Sequence, residues 1–246
     1  MLRGTRPSTG KGAASAEDTA DELGGEDTPD WLRPAVFGVM DGLVSNISLI
    51  AGVDGGGAGR DALILAGLAG LVAGGFSMAT GEYTSVRTEG EATESRVNEV
   101  MARLAVDPDA NQELLSSIYE RRGVRPHVAE AVAEDLSANP EEALRSHACE
   151  LIGVDPTNVA RPWVAAVSSF FSFALGAVIP LLPYLLGWTS LVAALVLSAL
   201  ALFGVGALVS RLTGRPALYS GARQLALGAL SAGATFLIGS LIGASI

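Results

Sequence analysis

Residues 36–50 read VFGVMDGLVSNISLI, a run apolar enough to lie in hydrocarbon, with a single carboxylate, Asp41, inside it. The surrounding stretch, 34–53, has close to the ~20 residues that cross a hydrocarbon core at the rise of a helix. Four more stretches of that kind follow, near 61–81, 163–186, 188–210 and 222–244. The expected fold is therefore all-α: a polytopic membrane bundle of five transmembrane helices, with a charged helical insert between spans two and three.

Composition agrees with that reading. Hydrophobic residues make up 49% of the chain and charged residues 17%, and there are 30 glycines, a balance too apolar and glycine-rich for an ordinary soluble globule. Charge is segregated as well, since residues 163–210 carry no acid or base while 82–161 are dense with both. The net charge of -10 and the absence of a Lys/Arg stripe exclude nucleic acid as a partner. One cysteine, Cys149, excludes an intrachain disulfide and a C-x-x-C motif. No G-x-S-x-G, H-E-x-x-H or P-loop signature is present, so an enzyme is not expected.

Residues 1–30, rich in Gly, Ser, Thr, Pro and acid, read as a disordered tail, with no apolar segment of a cleavable signal peptide. Residues 31–83 then hold spans one and two, 84–160 the acidic insert, and 161–246 spans three to five. Arg3, Arg6, Lys11 and Arg33 precede the first span, and Arg211, Arg215 and Arg223 lie between the fourth and fifth. The positive-inside rule places the N-terminus and the insert in the cytoplasm and the C-terminus outside. Short loops and the lack of organelle targeting point to a bacterial plasma membrane.

Glycines four apart, Gly38/Gly42, Gly70/Gly74 and Gly239/Gly243, allow helix backbones to approach closely, within one chain or between two. Pro180 and Pro183 predict a kink or early stop in the third span. No proline falls between Ala62 and Leu104, so the second span is expected to run on into the insert as one helix, broken at Asp107 and Pro108. Shorter helices follow: one capped by Asp109 and running through Arg121, a second opened by Pro126, and a third opened by Asn139 and Pro140.

A carboxylate at the depth of Asp41 costs about 3 kcal/mol on insertion scales, so it must face a cavity, a partner or an ion, or be kept neutral and hydrogen-bonded. Ser45, at i+4, shares its face, and Asn46 and Ser48 add oxygen donors nearby. Met78, in GLVAGGFSMATGEY, is either a gap-filling core side chain or, beside Asp41, a soft donor suited to iron(II) more than to magnesium or calcium. Glu82, one turn on, is a metal entry ligand or a solvated helix residue.

FGVMDGLVSN, then GLAGLVAGGFSMATGEYTSVRTEGE, then a charged helical insert and three further spans including IPLLPYLL, resemble the vacuolar iron transporter family over nearly everything after residue 31. The resemblance implies a homodimeric carrier of iron(II) or manganese(II), coupled to protons and lodged in a lipid bilayer. Its translocation path would contain Asp41 and Met78, with Glu82 at the mouth, and no prosthetic group is implied; Ser45 joins the path by sharing the face of Asp41.

It also implies a metal site in the insert, on Glu89, Glu91 and Glu94, then Glu113, then His147 and Glu150. Val100 and Arg103 stand where plant members carry acids, and in HACELIG the matching glutamate is Glu150 or is replaced by Leu151. Spacing points Glu91 with Glu94, and His147 with Glu150, the same way. Against this, Arg87 with Glu91 and Arg103 with Glu99 form ordinary i,i+4 ion pairs. The expected function is export of divalent iron or manganese from the cytoplasm by proton antiport, for metal homeostasis or detoxification. A non-transporting sensor or scaffold that uses the acidic insert is the alternative, and an anchor of that kind has no need of Asp41.

Overall fold

A computed structural model describes residues 29–157 and 161–245, so all but the last two residues of the expected N-terminal tail lie outside it. Among the described residues there are eight helices and no strand: α1 (Leu32–Gly55), α2 (Arg60–Val106), α3 (Pro108–Arg121), α4 (Pro126–Ser137), α5 (Pro140–Ile152), α6 (Pro162–Leu185), α7 (Leu191–Thr213) and α8 (Ala217–Gly243). Five of them, α1, α2, α6, α7 and α8, are long and apolar enough to cross a membrane. The all-helical class expected from the sequence is the one found.

The central helix is α1, which packs most extensively on α6 and α8 and also touches α2 and α7. Its residues 38, 42, 43, 46, 47, 50 and 51 are buried, because glycines let neighbouring backbones lie directly against it. A Cβ on Gly42 would overlap the carbonyl oxygen of Phe173 and approach the Ala177 nitrogen at 2.9 Å, and Gly176 of α6 answers in kind against Val39. At the other end, Gly239 of α8 abuts the Gly52 backbone, and a Cβ on Gly243 would stand 2.7 Å from the Gly56 carbonyl oxygen. Gly70 and Gly74 of α2 admit the side chains of Leu49 and Phe173. All three glycine pairs thus serve packing within one chain.

Helix α2 is continuous for 47 residues, as its lack of proline predicts. Its end differs from expectation in one detail. Asp107, not Asp109, caps α3, its carboxylate accepting from the Ala110 amide at 3.0 Å. Pro108 takes the first helical position, where a missing N–H costs nothing, and Asp109 is left in the first turn against the helix dipole. Asn139 caps α5 through the Glu141 amide, and Gly153 ends it in a left-handed conformation at φ 69°.

Helix α6 continues past both Pro180 and Pro183 to Leu185, which excludes the early stop. Each proline removes a backbone donor and weakens the turn before it. Two side chains from α1 and α2 bind this stretch from outside. The Asn46 amide donates to the Ala177 carbonyl at 2.6 Å, and the Arg60 guanidinium donates to the Tyr184 carbonyl at 2.9 and 2.7 Å.

Helices α3, α4 and α5 enclose a small core of Leu115, Ile118, Ala129, Ala133, Ala143 and Ala148. Among the described residues they contact only one another and α2. Tyr83 of α2 stacks on Trp163 of α6 with centroids 4.8 Å apart, and Trp188 marks the opposite end of α6, the aromatic positions of two membrane–water interfaces.

Two outcomes follow from this packing. Gly42→Ala should cost about 1–3 kcal/mol by overpacking against the α6 backbone, whereas Gly233→Ala, where an added Cβ meets no atom within 4 Å, should leave unfolding in detergent unchanged. Thermal unfolding of the two variants compares them. On a Cys149→Ser background, Ala58→Cys should react with an impermeant thiol reagent added outside intact cells, and the exposed Glu130→Cys should not. Reaction at 130 would reverse the orientation read from the arginines.

Candidate ion site

Packing decides which face of α1 carries the acid. With Gly38, Gly42 and Asn46 turned into the bundle, the i+4 series Phe37, Asp41, Ser45 and Leu49 is left exposed on the opposite face. Asp41 lies ten residues beyond Trp31, ~15 Å deeper along the helix. That depth belongs to hydrocarbon, yet among the described residues no other helix covers the carboxylate.

Ser45 donates to Asp41 Oδ1 at 2.9 Å, which orients the carboxylate and leaves most of its lone-pair positions open. None of the ion pairs among the described residues involves Asp41. The other oxygen donors that sequence places nearby face inward. Asn46 binds the Ala177 carbonyl, Ser48 donates to the Ser231 hydroxyl at 2.8 Å, and Thr235 donates to the Ser48 carbonyl at 2.7 Å. Ser45 alone of the three accompanies Asp41.

Met78 and Glu82 are half-buried on α2. Gly70 faces Asn46 and Leu49 across the α1–α2 hairpin. Eight residues from Leu49 back to Asp41, and eight from Gly70 on to Met78, each cover ~12 Å, so the antiparallel register sets Met78 level with Asp41. Glu82 comes one turn later, at the inner end beside Tyr83.

The residues singled out in the insert are not gathered into one cluster. Among the described residues no group of three or more His, Cys, Asp or Glu side chains is placed to hold a metal. Glu89, Glu91 and Glu94 are exposed on α2, and Glu113 is exposed on α3. Glu91 pairs with Arg87 at 2.7 Å, as Glu99 does with Arg103. His147 is 1% exposed, with Nδ1 2.8 Å from the Ala143 carbonyl oxygen and Nε2 3.0 Å from that of Asn111. Either nitrogen could ligate a metal only by giving up one of these contacts.

Glu150 is paired through both oxygens with Arg122 of the α3 end, Nη1 lying 2.9 Å from Oε1. Burial, and then the adjacent Glu150 charge, raise the Tyr119 phenol above its ordinary value. Arg60 is the first residue of α2, and sequence reasoning gives it no role. Its grip on α6 has no local signature, because its acceptor is a backbone atom 124 residues away.

A bundle with five helices long and apolar enough to cross a membrane, and a charged helical insert carried on an extended span, belongs to the class of polytopic integral membrane proteins, in which an ionisable side chain inside the membrane is a functional-site candidate by default. The sequence model described as the VIT family matches residues 32–240, and the chain belongs to that family. It is 27% identical to vacuolar iron transporter 1 of Arabidopsis thaliana over 214 residues, 86% of each chain. It is 34% identical to vacuolar iron transporter homolog 1 of Oryza sativa over 216 residues, 87% of this chain and 74% of the relative. A vacuolar iron transporter of Acanthamoeba castellanii is 37% identical over 155 residues, 63% of this chain but only 56% of that longer protein.

His147→Ala should speed amide exchange in α3 and α5 about tenfold while leaving α6 to α8 unchanged, because two carbonyls lose a buried partner. Hydrogen exchange read by mass spectrometry on the whole chain checks this.

Proposed function

We propose that this protein exports iron(II), and manganese(II) as a second cargo, from the cytoplasm in exchange for protons. The observation that carries the proposal is the uncovered Asp41 carboxylate at mid-membrane depth, held by Ser45 and without a basic partner among the described residues. Such a group is costly facing lipid and useful facing an ion. A second copy of the chain, apposed along the Asp41 face, encloses the path and supplies a matching carboxylate, so the working unit is a homodimer. The names of the relatives support iron as cargo.

The physical steps follow from the side chains. Glu82 receives a hydrated cation at the cytoplasmic end. Asp41 compensates the ion for lost water, since in a medium of low dielectric its negative charge is the largest favourable term. Met78, at the same height, adds a polarizable sulfur that favours iron(II) over harder ions. Protonation of Asp41 from the opposite side releases the cation, which couples the two gradients through one carboxylate. The insert's Glu89, Glu91, Glu94 and Glu113, with His147 and Glu150, concentrate metal once a partner subunit or a local rearrangement brings them together.

Flux into proteoliposomes under a pH gradient tests the mechanism. Asp41→Asn should reduce iron(II) and manganese(II) transport to background with unchanged or raised thermal stability, because an amide is cheaper than a carboxylate at that depth. Wild-type flux in that variant would sink the mechanism. Met78→Leu, nearly conserving volume, should weaken the preference for iron(II) without abolishing flux. Metal binding by the insert, followed by calorimetry on the whole chain carrying Asp41→Asn, should weaken as pH falls toward 5, where ligating carboxylates and imidazole take up protons.

A further inference from the structure

The outer end of α6 combines three features that the ion site does not use. Pro180 and Pro183, both buried, take two donors out of the final turns of the helix. Two side chains from the α1–α2 hairpin hold the weakened segment from its flanks: Asn46 on the Ala177 carbonyl, and Arg60 on the Tyr184 carbonyl, where its charge also complements the negative end of the helix dipole. Beside these attachments lie polar atoms that find no partner. Asn46 Oδ1 and the Tyr184 hydroxyl are buried, and neither has a hydrogen-bond partner among the described residues. Reversing the Asn46 amide gives no relief, since it would set oxygen against the Ala177 carbonyl oxygen.

An unsatisfied buried polar atom costs free energy that a second arrangement, open to water, recovers. Two such atoms beside a proline-weakened turn lower the cost of opening that turn to water. We infer that residues 177–185 of α6 form a hinged clasp on the α1–α2 hairpin. Its release from Asn46 and Arg60 lets water reach the outer half of the bundle, opening the exit for an ion leaving Asp41. The clasp is a matter of helix mechanics; its part in ion exit rests on the transport function proposed above. Asn46 and Arg60 are positioning residues, since neither touches the ion.

The test uses Leu181→Cys on a Cys149→Ser background, position 181 being wholly buried inside the clasp. The chain is reconstituted in liposomes with an impermeant thiosulfonate reagent on both sides. Adding Arg60→Met, which removes both donors but keeps the aliphatic stem, should raise the labelling rate about tenfold. Adding Pro180→Ala and Pro183→Ala, which restore the backbone donors, should lower it by a similar factor. Amide exchange at residues 181, 182, 184 and 185, in chains that keep Leu181, should rise about tenfold with Arg60→Met, a second reading independent of the introduced cysteine. Labelling and exchange within twofold of the starting chain in all variants would show a static helix end and overturn the clasp. Iron(II) flux is measured in the same liposomes. A clasp that responds to the substitutions in a chain that moves no metal would stand as a hinge and overturn the transport reading alone.

Discussion

The contact of backbone on backbone between α1 and its neighbours orders the rest of this molecule. In lipid the hydrophobic effect does not hold helices together, so association depends on close van der Waals packing and a few hydrogen bonds. Gly42 against Phe173, Gly176 against Val39 and Gly239 against Gly52 bring α6 and α8 as near to α1 as two helices can come. Because Gly38 and Gly42 turn one side of α1 against α6, the side carrying Asp41 and Ser45 at that depth has no cover. The carboxylate is exposed as a geometrical result of Gly38, Gly42 and Asn46 recurring every four residues on the opposite face.

Much of this could be read beforehand. The spans, the unbroken second helix and the openings at Pro126 and Asn139 follow from apolar length and from local capping chemistry, which need no knowledge of neighbours. Asp41 announced itself because its cost is set by depth alone. Harder to read was the direction in which each polar side chain turns. Asn46 and Ser48 sit within seven residues of Asp41 and look like companions to it, yet their partners, Ala177 and Ser231, are more than 130 positions away. The same holds for Arg60, whose function is to finish a helix in another part of the chain. Pro180 and Pro183 were read as a kink or an early stop, and the helix runs past both to Leu185.

In the insert the sequence spacing carried less information. Glu91 and Glu94 share a face, but Arg87 already engages the first of them, and the buried His147 spends both ring nitrogens on main-chain carbonyls. A neutral imidazole donates to only one of these acceptors and an imidazolium to both. The side chain therefore ties α5 to α3 as much as it offers a ligand. Arg122 plays the corresponding part for Glu150, a cation already seated where a metal would compete. Any metal that draws on these two residues must exchange existing bonds for new ones, so loading the insert reshapes its small core.

At 47 residues, α2 extends for ~70 Å, more than twice the thickness of hydrocarbon it crosses. Neither proline nor break separates Gly70, against Asn46, from Val100, in the insert core. Met78 and Glu82 therefore share one unbroken backbone with Glu89, Glu91 and Glu94, and the insert is joined to the bilayer by a rod of helix and not by a flexible linker.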